Sequence, residues 1–244
     1  MGNPLVLAWC DDLFVQGHQF AGWITDYIDL EQSLAMGSIS QELLAHSSAL
    51  MGACGLSALD RDERIYRRPA TQWFPSAVSP VPAHDWPATV ARGFLLNRAT
   101  LVMRQALELP DQPRVQQLAD VIKGEEDLHG VHWERWISIF GRAPAIRDDL
   151  ADAIETAAAD AVDVFGLPDG TENQGDLLSR PRAELHAMWT AEVTDILGRN
   201  GFPSPTFAAE PAPRRPGGSA VECILTDLSF ARGEGGAPQY EVYR

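Results

Sequence analysis

Cysteine is scarce in this 244-residue chain: Cys10, Cys54 and Cys223 lie far apart, are odd in number and form no C-x-x-C pair. That excludes a disulfide framework and a cysteine zinc site, and it suits free thiols in a reducing compartment. No apolar run approaches the roughly 20 residues of a membrane span. Nor is there a basic segment ahead of an apolar one at the N-terminus, where Asp11 and Asp12 interrupt the apolar stretch, so the expected location is the cytoplasm. Positive charge is also sparse: 19 Lys and Arg stand against 34 Asp and Glu, a formal net charge of −15. Phosphate binding needs a concentrated basic face, so nucleic acid is excluded as a partner. Arg64, Arg67 and Arg68, and the pair Arg214 and Arg215, break the acidic trend; both clusters read as solvated surface.

Alternating strand runs are missing as well, and apolar residues recur instead at helical spacing. The expected fold is all-α, a ferritin-like four-helix bundle followed by additional C-terminal helices, in one domain over 1–244 with the bundle core at about 4–140 and the extra helices at about 146–232. The first helix is expected over 4–27, with Pro4 in its first turn and Leu13, Gly17, Phe20, Ile24 and Ile28 in one stripe. The second, over 29–55, carries Met36, Ile39, Leu43, Ser47, Leu50 and Cys54 inward, and its many small residues allow a neighbour to approach closely. A short charged helix over 60–68 precedes a proline-rich connection that cannot be continuous helix. Trp73 and Phe74 in that connection are candidate interface anchors.

Asp85 is placed to cap a third bundle helix over 86–109, and a fourth spans 113–140 with Val115, Leu118, Ile122, Glu125, His129, His132, Trp136 and Ile139 inward. The long link between the second and third bundle helices matches the crossover of ferritin-like bundles. Further helices are expected over 146–165, 180–198 and 218–232, with 202–218 an extended loop.

A di-iron carboxylate bundle draws a Glu from each of two helices and a Glu-x-x-His from each of the other two. The fourth helix supplies Glu125, Glu126, His129 and His132, and the second supplies Glu42 and His46 at a spacing of four. The third offers no acidic residue across 86–107, only the neutral amides Asn97 and Gln105. Irons need anionic oxygen ligands, which amides replace poorly. The expectation is therefore no catalytic residue and no cofactor in this chain. Glu42, His46, Glu125, Glu126, His129 and His132 become a degenerate site, a buried hydrogen-bonded or ion-paired network with Arg98 a candidate partner. No G-x-S-x-G elbow and no Gly-rich loop after a strand points elsewhere. Two alternatives stay open: a self-sufficient di-iron oxygenase using these same acids and histidines, and a helical module whose vacated pocket accepts a small apolar ligand.

Five groups of residues, in one order, resemble the PaaC family, the non-catalytic ferritin-like subunit of phenylacetyl-CoA epoxidase. Cys10-Asp11-Asp12-Leu13 through Gly17 and Phe20 to Trp23 is similar to the family's first-helix pattern. Leu30-Glu31 through Ser38-Ile39 to Glu42-Leu43 follows the second, and Arg61-Asp62-Glu63-Arg64 with Arg67 matches its R-D-E-R-x-x-R. Asp85-Trp86, Thr89-Val90, Arg92 and Phe94 follow the third, and Glu125, His129, His132 and Trp136 the fourth. Departures fall on polar bundle positions: Gln19, Gly22, Ser38, Glu42, His46, Gln105 and Leu128 stand where the family has Arg, Glu, Asn, Asp, Gln, Glu and Tyr. The resemblance implies an accessory subunit whose partner is a separate catalytic oxygenase subunit that holds the di-iron. Separately, long bundles with apolar outer stripes often self-associate, which makes a homodimer in isolation a further expectation.

Overall fold

The computed structural model describes residues 3–25, 29–81, 84–108, 113–168, 171 and 178–231. Among these, eight α-helices and no strand are found, which is the all-α architecture expected. In chain order they are α1 (Pro4–Ala21), α2 (Leu30–Ala53), α3 (Ala58–Tyr66), α4 (Trp86–Ala106), α5 (Pro113–Gly141), α6 (Pro144–Asp160), α7 (Arg182–Arg199) and α8 (Ser219–Ala231). None of them is long and apolar enough to cross a membrane. Helix starts follow local chemistry. Asn3 accepts the Leu5 amide at 3.0 Å ahead of Pro4, and Asp29 accepts Gln32 at 2.8 Å. Ser57 and Asp60 form a reciprocal capping box, and Asp85 accepts Ala88 at 2.9 Å as its position predicted.

Helices α1, α2, α4 and α5 form the bundle. α1 and α2 approach closely because α2 presents hydroxyls and small groups: Ser40 Oγ donates to Gly17 O at 2.7 Å and Ser47 Oγ to Cys10 O at 2.9 Å. Trp9, Leu13 and Phe20 of α1 meet Met36, Leu43 and Leu50 of α2, Phe94 and Leu95 of α4, and Ile122, Trp133 and Ile137 of α5, all buried. α6 and α7 cover the outer side of α4, where Trp189 Nε1 donates to Leu95 O at 3.0 Å. α4 is thus buried nearly all round, which explains why its sequence has no acidic face.

A β-carbon added at Gly93 would lie 2.6–2.8 Å from the Trp133 ring. Gly93 therefore sets the distance between α4 and α5. Because Trp133 is itself 2% exposed and cannot swing away, Gly93→Ala is expected to destabilise the protein by about 1–3 kcal/mol despite the better helix propensity of alanine. A guanidinium titration monitored by circular dichroism checks this; an unchanged midpoint would show that the ring moves.

The structure corrects several expectations. Ile24, assigned to the α1 stripe, is 50% exposed at the end of a short 3-10 turn, and Ile28 lies outside the described residues. The buried face of α5 is rotated from the expected one. Glu126, His129, Trp133, Ile137 and Phe140 point inward, whereas Glu125 and Ile139 face out. Packing against two helices at once favours the larger rings on the inside. Of the two α4 amides expected on one stripe with Phe94 and Leu101, Asn97 is buried but Gln105 is exposed. Trp73 is 1% exposed and packs on Phe14, so it is a core residue rather than an interface anchor.

The two arginine clusters are the largest departure. Arg68 and Arg214 are buried, and Arg214 is fully so. The segment after α7 is not a free loop at this point: Arg214 inserts from it beneath α1 and holds it to the body of the protein.

Candidate functional site

α2 and α5 run antiparallel, so Glu42 and His46 of α2 meet His129, Glu126 and Glu125 of α5 in reverse order. His129 Nε2 pairs with Glu42 Oε2 at 2.6 Å, and His46 Nε2 pairs with Glu125. The other ring nitrogens face the centre. His46 Nδ1 is 3.7 Å from one oxygen of Glu126, and His129 Nδ1 is 3.6 Å from the other. The two rings have centroids 6.5 Å apart and flank the Glu126 carboxylate. From α4, Asn97 Nδ2 donates to Glu126 Oε2 at 2.8 Å and to the Glu126 carbonyl at 3.0 Å. Glu126, His46 and His129 are buried, while Glu42 and Glu125 reach the surface at 35% and 48% exposure.

Electrostatics follow from this placement. Burial alone would raise the Glu126 carboxyl, but the two imidazoles beside it prevail and hold it down at about 2. Burial likewise disfavours the charged forms of His46 and His129; their carboxylate partners outweigh it and raise both above the ordinary histidine value. With both rings protonated, three carboxylates face two imidazoliums, and one negative charge remains on the cluster.

The structure brings together five of the six expected residues. His132 is not among them: its ring stands edge-on to Trp133 at 4.8 Å, and burial followed by the nearby His129 charge pushes it down to about 4. The candidate Arg98 is also elsewhere, paired with Glu134 at 3.1 Å and Glu192 at 3.2 Å.

A di-iron pair does not fit this donor set. α4 sends an amide N–H to Glu126 where a carboxylate would be needed. The acids of α1, Asp11 and Asp12, are engaged by arginines away from the histidine pair. His46 Nε2 and His129 Nε2 are engaged by Glu125 and Glu42, whereas their Nδ1 atoms stand 3.7 and 3.6 Å from Glu126, beyond hydrogen-bond reach, and protons held on these rings would have to leave before a metal bound. Among the described residues, no set of three or more His, Cys, Asp or Glu side chains is grouped as a metal cage.

A second polar centre lies beneath α1 and was not assigned from sequence. Asp11 accepts Arg68 Nη2 at 2.7 Å and the Phe74 amide at 2.9 Å, with Arg64 at 3.4 Å. Asp12 pairs with Arg214 at 2.7 Å and accepts the Ser76 amide and Ser79 hydroxyl, each at 2.6 Å. Arg214 also donates to the carbonyls of Ala8, Phe74, Val164 and Gly166 at 2.9–3.2 Å. The available signal was two adjacent acids inside an otherwise apolar helix, which must find partners if buried.

The sequence model of the phenylacetic acid catabolic protein family, which joins PaaA and PaaC, matches residues 4–215. The chain belongs to this family. A comparison with curated proteins gives no match. The matched span of the family runs from the start of α1 through the bundle and both polar centres to Arg214 and Arg215. Membership ties the chain to phenylacetic acid catabolism.

Proposed function

We propose that this protein is the PaaC-like member of its family: a non-catalytic, cytoplasmic, ferritin-like subunit that supports a separate di-iron catalytic subunit in an oxygenase acting on phenylacetyl-CoA or a related aryl-CoA thioester. The observation that carries this reading is Asn97. It is the α4 side chain that reaches Glu126, and it offers an amide donor there rather than a carboxylate. A buried amide donor stabilises the ionised carboxylate and leaves it one lone pair poorer, whereas two irons require added negative charge. The charge that metal would have provided is supplied by the protons on His46 and His129. The centre is then an ionic network between α2 and α5, joined to α4 by the Asn97 hydrogen bond.

Elemental analysis of the purified protein tests the reading. Iron and manganese are expected well below one equivalent per chain after growth in iron-supplemented medium, and Asn97→Asp is expected to raise metal uptake by returning an anionic donor. Near-stoichiometric metal in the wild-type protein would instead establish a self-sufficient di-iron protein.

A further inference from the structure

We infer that the cavity between the C-terminal turn of α1 and α8 binds a small organic cation, an ammonium group carried on an aromatic body. It shares no residue with the α2–α5 ionic network, and α8, which supplies one wall, lies beyond the family-matched span of residues 4–215. The site is therefore independent of whether the chain supports a catalytic partner.

Helical spacing builds the cavity. At the end of α1 and in the turn after it, Gln19 and Trp23 stand four residues apart beside His18. On α8, Ala220 and Ile224, and likewise Cys223 and Asp227, repeat at the same interval and so share one side of the helix. The two faces border a space of about 380 Å³, which is within the size range of small-molecule sites. Trp23, Val81 and Ile224 are buried and make its apolar floor. Asp227 and Cys223 stand exposed at the mouth, and His18 is half-buried. Gln19 Oε1 accepts the Val81 amide at 2.5 Å, so the crossover segment is tied to α1 and the floor is formed before any ligand arrives.

Charge and hydrogen bonding select the occupant. Asp227 forms no hydrogen bond or ion pair among the described residues, and its charge acts on His18. Burial prevails over that charge and holds the His18 ring below the ordinary histidine value, so at neutral pH the ring keeps an unshared electron pair. The described lining thus offers a carboxylate and a neutral imidazole, and no Lys or Arg. An anion would meet the Asp227 carboxylate in a chain of net charge −15. An uncharged apolar molecule would cover the carboxylate and the imidazole while giving neither a partner, which is costly. A bare metal ion is not held either, because among the described residues no group of three His, Cys, Asp or Glu side chains is placed to bind one. An ammonium N–H donates to Asp227 and to His18, while the floor takes the apolar body and the Trp23 indole attracts both an aromatic ring and a nearby cation.

The test is calorimetric titration of the full chain with 2-phenylethylammonium, its neutral counterpart 2-phenylethanol and its anionic counterpart 3-phenylpropionate. Protection of Cys223 from iodoacetamide, read by peptide mass mapping, locates the bound molecule. The ammonium is expected to bind about tenfold or more tightly than the alcohol, to slow Cys223 alkylation, and to leave the carboxylate without measurable binding. Asp227→Asn, at the exposed mouth, is expected to remove the preference for the ammonium. Ala220→Phe is expected to fill the space and abolish binding, both variants being compared at unchanged melting temperature. Equal or tighter binding of the alcohol or the carboxylate, or a preference that survives Asp227→Asn, overturns the cation. Binding that leaves Cys223 alkylation unchanged, or that persists in Ala220→Phe, overturns the cavity as the site. No binding of any of the three at millimolar concentration overturns the inference as a whole.

Discussion

Replacement of Arg214 by Met is expected to lower the melting temperature by about 10 °C, the largest effect of any single substitution outside the aromatic core. The guanidinium is fully buried and serves five acceptors contributed by α1, the crossover segment and the stretch after α6. Removing one member of a buried ion pair costs about 3–5 kcal/mol, because the other charge stays behind without compensation. For a chain of this size each kcal/mol corresponds to about 2–4 °C. Arg214→Lys should rescue little, since a single ammonium cannot reach carbonyls spread around a planar fork.

The deficit should also depend on pH. Burial raises the Asp12 carboxyl, Arg214 opposes that rise, and Asp163 nearby is already pushed up by burial to about 6. In the variant both acids lose their cation, so their folded values climb further. A raised carboxyl contributes stability below its unfolded value and loses it as pH rises through the folded one. The difference between wild type and Arg214→Met is therefore expected to be smaller at pH 4 than at pH 8. Thermal melts at both pH values check this, and equal deficits would show that neither carboxylate depends on Arg214.

Glu126→Gln is the second large effect, and its signature is a changed pH profile of stability. Glu126 is held at about 2 in the folded protein, below the ordinary glutamate value. A depressed carboxyl contributes stability above its unfolded pKa, and that contribution disappears as pH falls through the folded value. Glu126 should therefore supply about 3 kcal/mol that is lost between roughly pH 4.5 and pH 2. His46 and His129 are raised; their contribution is present below the unfolded histidine value and is lost as pH rises through the folded ones. The variant should lose the acid-side dependence and flatten the alkaline side, because each imidazolium has lost its shared counter-charge. His132, pushed down to about 4, contributes in the opposite sense between about pH 4 and 6.5, and this largely cancels when the two proteins are compared. Urea titrations at one-unit pH intervals measure the difference. Parallel profiles would mean that Glu126 is not the counter-ion of the histidine pair.

The helices were legible from the sequence because each has its own period, cap and stop. Asp85 and Pro87 announce α4, and the small residues of α2 announce its close contact with α1. The meeting of Glu42 and His46 with Glu125, Glu126 and His129 of α5 was equally legible, since spacings of three and four put these groups on shared faces. The rotation of α5 was not. Glu125 and Glu126 are adjacent, and only the approach of Phe20 and Gly93 to Trp133 determines which of the two turns inward. His132 escaped for a related reason, being one residue from Trp133 and drawn to its ring rather than to the acids.

What the amino-acid order determines by itself is the helical character, the link lengths and the shortage of carboxylate on α4, because these depend on neighbours a few residues away. The tertiary structure alone decides that Arg68 and Arg214 leave the surface to meet Asp11 and Asp12. Those partners are 57 and 202 residues apart in the chain. Nothing local distinguishes an arginine bound for water from one bound for a buried carboxylate; the distinction arises only when packing removes the water from both.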